Sequence, residues 1–256
     1  MRLLRSILII SFGMFFLLAA NAYAVPSDGY SYSFTDEYWG ADPRYNWSDR
    51  DVIGNDEYFG VDGMTVSFDD GNMNVDIHSN YFDNIGLWGT SLGDLFISDD
   101  GWTPEGETPY VGDNAVTGET WEYALVMDDH SPSDRTGNIG LYRVSDGNIV
   151  ESFSPPPYER YVYRVGQEVS LDVSNVDSPL LGGTWSITDD LSTLRFSIGY
   201  ENDWLGAVDN FGFHWTMTCG NDVIEGMVPT PEPASMILLG TGLLGAVGIR
   251  RKVRRS

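Results

Sequence analysis

Apolar and polar residues alternate along much of the middle of the chain, with the two-residue period of a β-strand and not the 3.6-residue period of a helix. Residues 64–68 and 73–77 alternate in this way on either side of the turn sequence Asp-Asp-Gly-Asn at 69–72. Alternation on both sides of such a turn predicts a β-hairpin. A further strand is predicted at 211–219, where one face carries a series of apolar side chains: Phe211, Phe213, Trp215, Met217 and Cys219.

Other alternating segments are separated by Gly, Asp and Asn residues, which favour tight turns. They lie at 30–35, 92–98, 121–127, 139–144, 149–153, 165–173, 185–187 and 194–200. About ten short strands spaced in this way are typical of an all-β fold, so we expect an antiparallel β-sandwich or jelly-roll-like body. Cys219 is the single cysteine, and its place on an apolar face predicts a buried free thiol.

The first 24 residues have the three parts of a secretory signal peptide. Arg2 and Arg5 precede an apolar stretch at 7–20, and Ala22 and Ala24 supply the small residues of a cleavage site. We therefore expect passage through the Sec translocon and cleavage by signal peptidase after Ala24. The alternative is an uncleaved anchor helix, although the apolar stretch is short for a membrane span.

The other end of the chain also has three parts. Pro231, Glu232 and Pro233 precede 16 uncharged residues at 234–249. Sixteen helical residues reach about 24 Å, so we expect a short transmembrane helix. The prolines keep the preceding strip extended and open to a protease. Basic residues close the chain and are expected on the cytoplasmic side by the positive-inside rule: Arg250, Arg251, Lys252, Arg254 and Arg255.

This tail resembles the PEP-CTERM sorting signal of Gram-negative bacteria. The resemblance implies recognition by an exosortase, a membrane-embedded cysteine protease or transpeptidase. It also implies transient inner-membrane anchoring, removal of the tail and transfer to the cell surface or an exopolysaccharide matrix. The chain would then divide into a signal peptide (1–24), an ectodomain (25–228) and a sorting signal (229–256). A plain single-span anchor is the alternative.

The charge of the expected ectodomain limits its partners. Between residues 25 and 233 the chain holds all 38 acidic residues and only seven basic ones, for a formal charge of −31. Such a field repels phosphate backbones and anionic lipid surfaces, which excludes nucleic acid as a partner. It favours solubility and the binding of cations.

Calcium is the cofactor that the sequence best accommodates. Asp128, Asp129 and Asp134 form an oxygen-rich segment around His130, and calcium prefers such oxygen ligands. A solvated acidic loop that binds nothing is the expected state of this segment, so we predict no cofactor and keep calcium as the alternative. Neither a zinc-ligand pattern nor a nucleophile with a paired base stands out in the sequence, so we predict no catalytic residues.

Aromatic residues gather in a polar stretch after the first predicted strand, among them Trp39, Tyr45 and Trp47. Exposed rings beside Asp and Asn could stack on sugars, whereas buried rings would only pack the loop against the body. We therefore expect a non-enzymatic structural or glycan-binding, adhesive protein of a biofilm matrix. The alternative is a secreted hydrolase of matrix polysaccharide, which would need two carboxylates about 5–10 Å apart.

Overall fold

The computed structural model describes residues 28–42, 50–131, 133–145, 147–153, 163–176, 178–200 and 210–230. Within these residues the chain is almost entirely β, as predicted. A helical turn, α1, spans Asp56–Phe59, and 3-10 turns span Asn80–Asp83 and Leu87–Gly89. The twelve strands of the described residues are β1 (Tyr30–Thr35), β2 (Val61–Asp69), β3 (Asn72–Ser79), β4 (Leu95–Ser98), β5 (Tyr123–Met127), β6 (Thr136–Arg143), β7 (Ile149–Glu151), β8 (Glu168–Leu171), β9 (Leu181–Ile187), β10 (Thr193–Gly199), β11 (Asn210–Thr216) and β12 (Val223–Pro229).

The predicted hairpin is β2 and β3. Val66 lies opposite Val75, and Phe68 lies opposite Met73, so the apolar residues of both strands share one face. Asp70 and Gly71 make the turn with φ of 50° and 75°. A two-residue turn with both φ values positive matches the twist of the strands it joins, and glycine adopts that conformation without strain.

Ten strands form one antiparallel sheet in the order β1-β2-β3-β10-β9-β6-β5-β4-β11-β12. The two ends of this order meet. Tyr30 Oη in β1 donates a hydrogen bond to the carbonyl of Pro229 in β12 at 2.6 Å, and the ring of Phe34 lies against Gly226. The sheet therefore curls round on itself, and the described residues between 28 and 230 form one compact unit.

The inner face of the curled sheet encloses one large apolar core. Phe211, Phe213 and Trp215 of β11 are completely buried in it, as the alternation predicted. Cys219 is buried and free beside them. Burial raises the pKa of its thiol to about 12, so the group behaves as a small apolar side chain.

The outer face of the sheet is covered in part by the ribbon of β7 and β8. A second, smaller apolar cluster lies there, around Phe96, Trp121 and Leu171. This cover extends over β11, so that His214 and Thr216 are completely buried although they point away from the main core. The sequence pattern indicated a polar outer face at these positions, but it did not predict that the face is buried. Nor did it predict β12, because Glu225 and Gly226 interrupt the apolar run of that strand.

Several predictions lie outside the described residues. They are the signal peptide at 1–24, the Pro231-Glu232-Pro233 motif, the transmembrane helix at 234–249, the basic end, and the aromatic residues Tyr45 and Trp47. In the part of the chain that the structure describes, no helix has the length and apolar character needed to cross a membrane.

Candidate functional site

Ionisable groups that are buried or half-buried form two clusters near β11 and β12. The histidine cluster consists of His214, Glu168, Glu225, Trp102 and Trp121. The carboxylate cluster consists of Asp36, Asp51 and Asp222. Buried groups with shifted pKa values are found at functional sites and also in structural ion-pair networks, so the geometry of each cluster decides its chemistry.

His214 is the centre of the histidine cluster. Its strand, β11, pairs with β12 so that His214 lies opposite Glu225, and Nδ1 is 3.0 Å from Glu225 Oε1. Nε2 is 2.6 Å from the backbone carbonyl oxygen of Glu168 in β8. Both ring nitrogens therefore face oxygen acceptors, an arrangement that suits the doubly protonated imidazolium.

Two tryptophan indoles also form hydrogen bonds with the glutamates of this cluster. Trp102 Nε1 donates to Glu225 Oε2 at 3.0 Å, and Trp121 Nε1 donates to Glu168 Oε1 at 3.1 Å. Glu168 is 3% exposed and Glu225 is 5% exposed. The two carboxylates therefore face the protein interior and its donors, whereas the carboxylates of a glycosidase must face a bound sugar.

The pKa values of the histidine cluster reflect this enclosure. Burial lowers the pKa of His214, but the hydrogen bond to Glu225 and the charges of both glutamates outweigh it and leave the pKa raised. Burial raises the pKa of Glu168, and the nearby His214 lowers it only in part. The hydrogen bonds of His214 link three strands, β8, β11 and β12.

Asp113 lies next to this cluster. It is 1% exposed, and its carboxylate oxygens make no hydrogen bond of normal geometry, although the Tyr38 side chain and the Glu105 backbone lie close enough to oppose the rise in its pKa. Burial raises its pKa to about 8, and the charges of Glu225 and Glu168 contribute to the rise. Tyr38 is also completely enclosed, and burial raises the pKa of its phenol.

The carboxylate cluster joins three separate parts of the chain. Asp36 follows β1, Asp51 lies in the loop before α1, and Asp222 lies in the turn between β11 and β12. One oxygen from each of the three lies within 4.8 Å of the others. Asp222 is held firmly, because its Oδ2 accepts from the backbone N–H of Val61 at 2.6 Å and its Oδ1 accepts from Val223 N–H at 3.0 Å.

Arg164 lies beside the carboxylate cluster and is completely buried. Its Nη2 donates to the carbonyls of Arg50 and Asp51, while Nε and Nη1 have no hydrogen-bond partner. Burial lowers the pKa of this guanidinium, and the charges of Asp222, Asp51 and Asp36 oppose that effect. Burial also raises the pKa of Asp36 and of Asp222.

The residues that the sequence offered as possible calcium ligands, Asp128, Asp129 and Asp134, lie elsewhere, and all three are exposed. Asp128 accepts hydrogen bonds from Trp185 Nε1 at 3.0 Å and from Asn138 Nδ2 at 2.9 Å, and the bond from Trp185 lowers its pKa. Asp129 Oδ1 accepts from the backbone N–H of Ser131 at 2.9 Å, and Asp134 lies within reach of the Ser133 hydroxyl. Among the described residues, the trios of acidic side chains that come together are the carboxylate cluster and an exposed group of Asp28, Asp69 and Asp70.

The predicted glycan-stacking residues are only partly described. Trp39 is half-buried, and its backbone N–H donates to the carbonyl of Pro109 at 2.9 Å. Tyr38 and Phe59, which flank this stretch, are buried in the protein. The most exposed tryptophan of the described residues is instead Trp88, which is 43% exposed.

Trp88 is presented by an unusual backbone. Its φ is 56°, a conformation that is uncommon for a bulky residue and that the surrounding structure must maintain. The ring of Phe59 lies 5.5 Å from the Trp88 ring, and Tyr163 Oη donates to the Trp88 carbonyl at 2.9 Å. Tyr58, the neighbour of Phe59, is also exposed. No local sequence pattern marked Trp88, because it lies outside the predicted aromatic stretch.

Comparison with known families locates a motif at the end of the chain, where residues 229–252 match the PEP-CTERM protein-sorting motif. The chain carries a PEP-CTERM motif, as its tail predicted. Searches of curated proteins and of solved structures give no match. The PEP-CTERM motif indicates an exported protein that is targeted to an exosortase and anchored transiently in the membrane before it is sorted to the cell surface. The matched segment begins at Pro229, the last residue of β12, so the motif follows the folded body directly.

Proposed function

We propose that the β body is a non-enzymatic structural or glycan-binding module of the extracellular polymer matrix. The observation that supports this most is the PEP-CTERM motif at 229–252, because it assigns the acidic body to the cell surface. The carboxylates of the histidine cluster face inward, which favours binding or structure over hydrolysis. The basic end from Arg250 to Arg255 remains cytoplasmic in this proposal, since positively charged flanks resist translocation.

Glycan binding in this proposal uses Trp88 and Tyr58 as the stacking surface. Both side chains are exposed. The Trp88 ring packs against Phe59, which is completely buried and is the neighbour of Tyr58 in the chain. Acidic side chains of the adjoining helical turn, Asp56 and Glu57, supply acceptors for sugar hydroxyls. A rigid flat ring beside polar acceptors loses little conformational freedom when a ligand binds.

A retention assay on exopolysaccharide isolated from the producing bacterium tests this surface. We expect the full chain in detergent to be retained and Trp88→Ala to lose most of the retention. Trp39→Ala is the matched control, because Trp39 is half-buried and belongs to the originally predicted stretch. Loss of retention in Trp39→Ala alone would move the site to that stretch. Shortening of the polysaccharide, measured by gel filtration, would instead support the hydrolase alternative.

Sorting has a separate test in the native host. Alanine replacements of Pro231, Glu232 and Pro233 should leave the tail attached and retain the protein in the membrane fraction. Mass spectrometry of the C-terminal peptide measures this directly. Unchanged removal of the tail would show that processing does not depend on these three residues. A matched variant with alanine at Thr230 should be processed normally.

A further inference from the structure

The carboxylate cluster has more negative charge than its surroundings compensate. Three carboxylate oxygens lie within 4.8 Å of one another, and Arg164 is the buried cation beside them. If all four groups are ionised, their net charge is two negative charges, and both Asp222 and Arg164 are completely buried. Removing charged groups from water is unfavourable unless partners compensate their charge, so this arrangement calls for additional positive charge.

Unpartnered oxygens indicate where that charge is needed. Asp36 Oδ2 and Asp51 Oδ1 are buried and accept no hydrogen bond. Asn221, the residue before Asp222, is completely buried, and neither of its amide atoms has a partner. Its side chain lies against the loop that carries Asp51, because Nδ2 is 3.5 Å from the position of a Cβ at Gly54. Buried polar atoms in native proteins are nearly always paired, so these atoms point to a ligand.

We propose that Asp36, Asp51 and Asp222 bind a calcium ion beside the buried, unpartnered amide of Asn221. The donor atoms are all oxygens, which suits a hard cation and not zinc or copper. Magnesium gives up its water shell reluctantly and usually keeps several waters, whereas calcium accepts carboxylate and amide oxygens in irregular geometry. A doubly charged cation also balances the two negative charges that remain after Arg164 is counted.

The ion would connect parts of the body that are far apart in sequence. Asp36 follows the first strand of the sheet, and Asp222 lies in the turn that leads into the last strand, β12. Asp51 ties the loop before α1 to the same point, next to the hydrogen bond from Ile53 N–H to the Asn221 carbonyl at 2.7 Å. Calcium would therefore stabilise the closure of the sheet, which fits an exported protein because calcium is plentiful outside cells.

Thermal unfolding of the full chain in detergent tests the site. Addition of 1 mM Ca²⁺ after EDTA treatment should raise Tm by about 5 °C or more at pH 7. Asp36→Asn and Asp51→Asn should lose most of this shift, and both keep the size of the side chain. Asp69→Asn, from the exposed acidic group, is the matched control and should keep the full shift. An equal loss in Asp69→Asn would place the effect at the exposed group and overturn the proposal.

Luminescence of Tb³⁺ provides a second measurement that does not depend on stability. Tb³⁺ binds calcium sites, and Tyr38 lies close enough to excite it, since its N–H donates to Asp36 Oδ1 at 3.0 Å. We expect emission on excitation of the aromatic residues, loss of it in Asp36→Asn, and displacement by Ca²⁺ but not by equal Mg²⁺. Equal displacement by Mg²⁺ would overturn the choice of calcium. If Ca²⁺ changes neither Tm nor Tb³⁺ emission, protons balance the cluster and the proposal fails.

Discussion

Asp94 is a completely buried carboxylate that joins three segments of the body. Its Oδ1 accepts from the backbone N–H of Met127 at 2.9 Å and lies 2.7 Å from His130 Nε2. Its Oδ2 accepts from the N–H of Leu171 at 2.9 Å. Each oxygen thus satisfies a backbone donor that would otherwise be buried without a partner. The residue has a structural role that no local sequence pattern reveals.

Asp94→Asn should destabilise the protein by about 1–3 kcal/mol. The amide retains one acceptor oxygen, but its NH₂ group then faces a backbone N–H, so two buried donors oppose each other. Urea unfolding followed by tryptophan fluorescence measures the change. Asp129→Asn is the control, because Asp129 is exposed and its single acceptor contact with Ser131 is available to an amide oxygen; it should change stability by no more than about 0.5 kcal/mol.

Asp113 should make stability depend on pH. Its pKa rises from 3.8 to about 8 on folding, chiefly through burial and then through the charges of Glu225 and Glu168, with Tyr38 also facing it. The folded state binds the proton more tightly than the unfolded state, so the stabilisation is complete at low pH and is lost as pH rises from about 4 to about 8.

The variant Asp113→Asn cannot ionise and should avoid that loss. The stability of this variant relative to the wild type should increase between pH 5 and pH 8 by about 3–4 kcal/mol, as measured by urea unfolding at each pH. Asp129→Asn should differ from the wild type by the same small amount at both pH values. If the difference in unfolding free energy between Asp113→Asn and the wild type were the same at pH 5 and pH 8, this carboxylate would not titrate between those pH values.

At the scale of elements, the β2–β3 hairpin depends on its two-residue turn. Gly71 has a φ of 75°, and a side chain with a Cβ is strained in that region by about 1–2 kcal/mol. Gly71→Ala should therefore lower the free energy of unfolding by about 1 kcal/mol. Gly112→Ala is the control, because a Cβ there would meet nothing within 4 Å and its φ lies outside the left-handed region. If the two variants unfolded at the same urea concentration, the conformation of the turn would not contribute to the stability of the hairpin.

This hairpin could be predicted from the sequence because the residues that specify it are close together in the chain. Alternation over 64–68 and 73–77 places the apolar side chains, and the intervening turn sets the register. The strand at 211–219 was predicted for the same reason, although it ends at Thr216. β12 was missed because its apolar run is broken and the sorting tail follows it directly.

The two clusters could not be predicted from such local patterns. Asp36, Asp51 and Asp222 are separated by up to 186 residues, and each is an ordinary acidic residue in a loop or turn. His214 alternates with the core residues of β11, which correctly placed it on the other face. Its burial there depends on β8, whose Glu168 is 46 residues away along the chain. Only the pairing of distant strands brings these groups together.

For the whole molecule, closure of the curled sheet places the end of the body next to its beginning. The sorting motif starts at Pro229, and the carbonyl of that residue accepts the hydrogen bond from Tyr30 Oη at 2.6 Å. The last strand is therefore held by the first at the point where the PEP-CTERM motif begins. The sorting motif therefore begins on a strand whose contact with β1 should contribute to the stability of the body.

Tyr30→Phe removes this hydrogen bond and leaves the ring in place. The loss of one partly buried hydrogen bond should cost about 0.5–1.5 kcal/mol in urea unfolding. Relative to the wild type, the variant should show a larger increase in hydrogen exchange at the backbone amides of β12 than at those of β2 or β3. The reason is that the lost contact lies at the edge where β1 meets β12. Tyr32→Phe is the matched control on the same strand, since Tyr32 is exposed. If Tyr30→Phe left hydrogen exchange in β12 unchanged, the hydrogen bond to Pro229 would not be needed to hold β12. Packing of Phe34 against Gly226 would then be sufficient to close the sheet.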